Sequence, residues 1–210
     1  MMTRKRQPSP SPHTEGRIIE AAAQVFAQEG YSGATTKRIA ERAGVNEITI
    51  FRRFGSKGNV LRRVMEEKGA AVLRVLDGAL LMEEDADIAD CLRNLSALAH
   101  ASMTEGWEMV MPLMRQRETR PLVAKCLISA GQSLAARLEE FFRFHIEVGN
   151  IRGVSPEAAT AIFFGYLMSP MNRPRLMGAR PSMEECEKGF SDFIDILMNG
   201  ISYEGKDSSY

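Results

Sequence analysis

One stretch of the chain gathers the side chains that could do chemistry. Residues 36–57 read TKRIAERAGVNEITIFRRFGSK, with hydroxyls at Thr36 and Thr49, cations at Lys37, Arg38, Arg42, Arg52, Arg53 and Lys57, and a carboxylate at Glu47. Hydroxyls interleaved with cations suit the recognition of phosphate oxygens, and a polyanion is the partner they imply. The overall charge hides this, because 27 basic residues balance 27 acidic ones. Residues 1–65, however, hold 12 Lys or Arg against five Glu, a local charge of +7, and the remaining residues carry −7. Such asymmetry points to nucleic acid or another anionic surface, met by the N-terminal part.

The elements that must position these groups follow from the apolar spacing. Ile18, Ala22, Val25 and Phe26 form a helical stripe that Gly30 can stop. Thr35 or Thr36 can cap a short helix carrying Ile39, Ala40 and Ala43, which ends at Gly44. A second short helix runs from about Asn46 to Arg53, and Ser56 can cap a longer one with Val60, Leu61, Val64 and Met65. Two short helices crossing at a small residue, Ala40, with a turn at Gly44, have the physics of a helix-turn-helix. With Ile39, Ala43, Val45 and Ile50 facing inward, Glu47, Ile48, Thr49 and Arg52 face outward, where such a helix enters the DNA major groove.

Taken together, the entry stripe, Gly30-Tyr31, Thr35-Thr36, Ile39-Ala40, Ala43-Gly44-Val45, Thr49-Ile50-Phe51 and Phe54-x-Ser56-Lys57-x₃-Leu61 resemble the tetracycline-repressor (TetR) family of bacterial regulators over about a fifth of the chain. The resemblance implies that Thr36 donates to a DNA phosphate, that Lys37 reaches a phosphate or base edge, and that Glu47, Ile48 and Thr49 meet bases. It implies a phosphate contact for Lys57, assisted by the helix dipole. Phe51 stands where the family usually has Tyr, so a hydroxyl is missing. Arg53 replaces the usual His or Tyr and could supply that contact as a charge. Gly58 stands where an acid is common. Glu47 is unusual against DNA unless it accepts from cytosine N4 or pairs with Arg52.

Beyond Leu61 the apolar stripes remain helical, which gives an all-α fold of about nine helices. The expected organisation is a disordered basic and Pro-rich arm at 1–14, a helix-turn-helix DNA-binding domain at 15–61, a helical regulatory and dimerisation domain at 62–204, and a flexible tail at 205–210. The basic triplet Arg4-Lys5-Arg6 reads either as an arm tracking DNA or as a solubilising tail. Pro112 predicts a kink or helix restart. The resemblance implies that the C-terminal helices dimerise and enclose a small-molecule pocket. For the interface, Ala161, Gly165 and Ser169 are small at four-residue spacing, and Phe190, Phe193, Leu197 and Ile201 supply apolar bulk. For the pocket, the methionine-rich region suggests Trp107, Met111, Met114, Phe141 and His145, with His100 as a polar handle. Both sets also fit an intrachain core.

Catalytic constellations are absent. Cys91, Cys126 and Cys186 are few and scattered, His13, His100 and His145 likewise, and no nucleotide or nucleophile motif occurs. Neither a metal nor a cofactor is expected. No apolar run nears the ~20 residues of a membrane span, and Met1 to Pro12 lacks a signal-peptide core. The expectation is a cytoplasmic homodimer on a palindromic operator in double-stranded DNA, acting as a repressor released by an apolar or aromatic ligand. One short helix-turn-helix touches too little DNA alone, which is the physical reason for two copies. A regulator of the same fold that senses no ligand is the alternative, and a helical enzyme fits less well.

Overall fold

The computed structural model describes residues 12–80, 82–151, 153–168 and 182–199. Among them lie eight α-helices and no strand, in keeping with the all-α expectation: α1 (Pro12–Gly33), α2 (Thr36–Ala43), α3 (Glu47–Phe54), α4 (Lys57–Asp77), α5 (Ile88–Arg115), α6 (Arg120–Glu147), α7 (Pro156–Leu167) and α8 (Met183–Asn199). Helix α1 begins at Pro12, inside the stretch expected to stay unstructured, and proline is at home in a first turn because its missing N–H has no partner there anyway. Gly30 leaves the helical region at φ 68°, ψ 172°, so the first helix breaks where the sequence predicts a stop, and one further turn reaches Gly33. Pro112 falls in the last turn of α5, which continues to Arg115. The arm up to residue 11 and the tail at 205–210 lie outside the described residues.

The chain packs as two compact units. The first comprises the described residues up to Ala70 together with Glu105–Ser129. Its core joins Ile18, Ala22, Val25 and Phe26 of α1 to Ile39, Ala40 and Ala43 of α2, Ile50 and Phe54 of α3, and Val60, Leu61 and Val64 of α4. Val110, Leu113 and Val123 complete it from α5 and α6. The inward set read from the sequence is thus found inward: Ile39, Ala43 and Ile50 are buried and Val45 packs partly buried beside them.

The second unit comprises the described residues of Ala71–Thr104 and those from Ala130 onward. Leu76, Leu92, Leu95, Leu134, Leu138, Phe141, Phe142, Phe163, Leu167 and Ile194 form its core. Ser155 caps α7 by accepting from the Ala158 N–H, and Pro156 follows at the first helical position.

Candidate nucleic-acid interface

The turn between α2 and α3 sets the geometry of the site. Thr35 caps α2 with its hydroxyl oxygen on the Arg38 N–H (3.2 Å), and Asn46 caps α3 with Oδ1 on the Ile48 N–H (2.9 Å). Gly44 adopts the left-handed conformation (φ 61°, ψ 42°), and its N–H and that of Val45 return to the Glu41 and Ala40 carbonyls at 3.2 and 3.0 Å. Arg17 of α1 donates to the carbonyls of Ala43 and Gly44, so a guanidinium closes the C-terminal end of α2. Asn59 does the same for α3, donating from Nδ2 to the Phe54 carbonyl at 2.7 Å. Sequence spacing singled out neither residue. Arg17 acts on carbonyls that only the folded crossing brings within reach, whereas Asn59 reaches back five residues across the α3–α4 turn.

Of the outward residues, Ile48 is 72% and Phe51 50% exposed on α3, with Arg52 exposed beside them. Positions 48, 51 and 52 are neighbours on one helix face, being three and four residues apart. Thr49 is partly buried. Lys37 is exposed on α2, as are Arg38 and Arg42, although Arg38 pairs with Glu29 (2.7 Å) and Arg42 donates to Gln24 and Gln28 at 2.7 and 3.0 Å.

The remaining predicted contacts are engaged inside the head formed by α1, α2, α3 and the first turns of α4. Thr36 donates its hydroxyl to Glu47 Oε1 at 2.6 Å, which ties the start of α2 to the start of α3. Lys57 donates to the carbonyls of Tyr31 (2.7 Å) and Ala34 (3.0 Å), with its ammonium 4.2 Å from the centroid of the Tyr31 ring. It thus serves the carbonyl end of α1, where a cation is favoured. Arg53, with only 12% of its side chain exposed, meets Glu15 of α1 at 3.2 Å. Glu15 also meets Arg63 of α4 at 3.0 Å, and Arg63 and Arg62 both meet Glu66, at 2.9 and 2.6 Å. Burial works against the Glu66 charge, but the hydrogen bonds from Arg63 and Arg62 outweigh it and hold that carboxyl below the ordinary range. One run of ion pairs therefore fastens α1, α3 and α4.

The Thr36–Glu47 bond is testable without DNA. Thr36→Val and Glu47→Ala should each lower stability by about 1–2 kcal/mol, and the double variant by no more than the larger single loss, since either change removes the whole bond. Urea denaturation reads this, and additive losses would show that the bond carries no energy.

The other two residue sets are distributed differently. Phe141 and His145 are fully buried in the core of the second unit, where His145 makes edge contacts with Phe141 and Phe144 and lies 3.2 Å from Asn150 Nδ2. His100 is half-buried and meets Phe190 edge-on. Met114, partly buried, packs instead on the core of the first unit, and Met111 is likewise half-buried. The Trp107 side chain lies outside what is described. An open cavity of about 420 Å³ is lined by residues including Asp87, Arg93, Asn150 and Asp195, and by none of these candidates. Of the interface set, Ala161 and Gly165 are exposed on α7 beside Ile162, whereas Phe190 is buried and Phe193 stacks on Tyr166 at 3.9 Å. Leu197 is half-buried, and Ser169 and Ile201 lie outside the described residues.

No group of three or more His, Cys, Asp or Glu suited to a metal ion occurs among the described residues, and no helix there is long and apolar enough to cross a membrane.

Comparison with known proteins places this geometry. Residues 18–72 match the model of the bacterial regulatory proteins of the tetR family. The uncharacterized HTH-type transcriptional regulator YvkB of Bacillus subtilis is 25% identical over 90% of this chain and 97% of its own length. Among solved structures, a regulator from Mesorhizobium loti assigned to the TetR family superposes with a TM-score of 0.76 at 20% identity, covering 90% of this chain and 97% of that one. The FadR regulator of Bacillus subtilis, solved with stearoyl-CoA, superposes with a TM-score of 0.60 at 21% identity over 89% of this chain and 99% of its own. At such identities the structural likeness is one of fold. The matched residues contain the whole helix-turn-helix, so the N-terminal part of this chain is similar to the bacterial regulatory proteins of the tetR family, and its sequence likeness to a transcriptional regulator runs through nearly the full length.

Proposed function

We propose that the protein is a cytoplasmic, homodimeric repressor that binds a palindromic operator through α3 and is released by a small apolar or aromatic ligand. The observation that carries the reading is the exposed face of α3, Ile48, Phe51 and Arg52, presented by a head whose helix ends are capped. In this reading Lys37 and Arg52 are phosphate or base contacts, and Thr49 lies at the edge of the reading face. Thr36 keeps its hydroxyl on Glu47 and sets the start of α2 against the start of α3. Lys57 spends two of its three N–H groups on carbonyls, leaving the third for a phosphate. Arg53 and Glu47 act as positioning residues, through Glu15 and Thr36 respectively.

The outer face of α7, with Ala161, Ile162 and Gly165 exposed, suits close approach of a second copy. Two heads related by a twofold axis would read half-sites ~34–36 Å apart. For the effector, the solved FadR with stearoyl-CoA makes acyl-type molecules the first class to try. By linkage, any such ligand must weaken operator binding by the same factor by which the operator weakens ligand binding.

Selecting bound sequences from random DNA tests the core of this reading. A palindrome is the expected result, and recovery of no enriched sequence would overturn it. On the selected site, Lys37→Ala and Arg52→Ala should each lower the slope of log affinity against log salt by about 1 for every phosphate left without its cation.

A further inference from the structure

The way α3 spends its polar atoms restricts what it can read. At its start, Asn46 Oδ1 is committed to the Ile48 N–H and Glu47 Oε1 to the Thr36 hydroxyl. What stands outward from the same helix, Arg52 apart, is apolar: Ile48, 72% exposed, and Phe51, 50% exposed, three residues apart on one face. A single exposed apolar side chain needs no explanation. Two large ones side by side on an eight-residue helix, flanked by exposed Arg52 and Lys37, form an apolar strip inside a cationic rim. Its partner must therefore be polyanionic outside and apolar within. A DNA major groove meets that description at one kind of position, because thymine alone among the four bases carries an apolar group there, its C5-methyl.

We propose that α3 reads thymine methyl groups, with Ile48 and Phe51 each packing on thymine in every half-site. The proposal rests on the DNA-binding reading above and adds the chemistry by which the operator is chosen. Specificity here comes from apolar contact, while charge sets register and strength. Glu47 contributes by staying with Thr36, out of the path of the strip.

Replacing thymine by deoxyuridine tests this directly, since it deletes the methyl and leaves every hydrogen-bonding group in place. The probe is the duplex selected from random DNA, with each thymine replaced in turn at symmetric positions of both half-sites. Wild-type protein should lose about fourfold affinity per methyl at one or two thymines of each half-site, the worth of one buried methyl-sized group. Ile48→Ala should bind the thymine duplex more weakly and lose its sensitivity to deoxyuridine at one of those positions, and Phe51→Ala at another. Both side chains are exposed, so circular dichroism of the variants should match the wild type. Equal affinity of the wild type for every deoxyuridine duplex would overturn the proposal, as would full sensitivity retained in both variants. Failure to select any sequence would instead remove the DNA-binding reading itself, so the two failures are distinct.

Discussion

Gly44→Ala should lower the stability of the head by about 2–3 kcal/mol. A left-handed conformation costs an L-residue ~1–2 kcal/mol relative to glycine. A Cβ at Gly44 would also lie 2.8 Å from Arg17 Nη2, and that nitrogen bonds the Ala43 and Gly44 carbonyls, so it cannot move aside without giving up the cap on α2. The two effects add, and the turn that sets α3 against α2 is where both fall. The measurements are the urea midpoint and operator binding, with Gly44→Asn as the control, because asparagine tolerates this conformation better than other side chains. Arg17→Ala alone should cost about 1–2 kcal/mol. Introduced into Gly44→Ala it should cost clearly less, because the cap is already disturbed. A fully additive double variant would refute the link between the glycine and the guanidinium.

Lys57→Met should act on both stability and DNA binding. The ammonium makes two hydrogen bonds to the carbonyls of Tyr31 and Ala34 and sits over the Tyr31 ring. Methionine keeps much of the aliphatic stem and makes none of the three interactions, for an expected cost of about 2–3 kcal/mol. Below its melting temperature the variant should also show a salt slope lower by about 1, the share of the remaining N–H. A stability loss with an unchanged slope would confine Lys57 to holding α1, and the salt dependence would then rest on Lys37 and Arg52.

Much of the head was legible in the sequence because its signals are local. The cap on α2, offered by Thr35 or Thr36 and taken by Thr35, the glycine at the turn and the inward set Ile39, Ala43 and Ile50 all follow from spacing within a few residues. What was not legible depends on distant partners. Arg17 reaches carbonyls 26 and 27 residues away, and Glu15 reaches Arg53 and Arg63 at separations of 38 and 48. No periodicity reports such a meeting, so Arg53 read as an outward cation although its side chain is mostly covered. Charge was equally uninformative about Glu47, whose partner is a neutral hydroxyl across the turn. In the C-terminal part, apolar stripes located the helices but could not separate cavity lining from core. Phe141 and His145 carry the same residue types in either role, and here they are buried among other side chains.

The distribution of roles within the head bears on how the proposed regulator changes over generations. Glu15 and Arg17 fasten neighbouring helices to one another, and a substitution there threatens the fold. Ile48 and Phe51 stand outside, and trading them for other side chains leaves that scaffold intact. If α3 reads DNA as proposed, a duplicated copy of the gene could drift toward a new set of promoters by changes in α3 while still producing a stable protein. On the proposed reading, α3 is the place to begin when rewiring this protein to a chosen promoter.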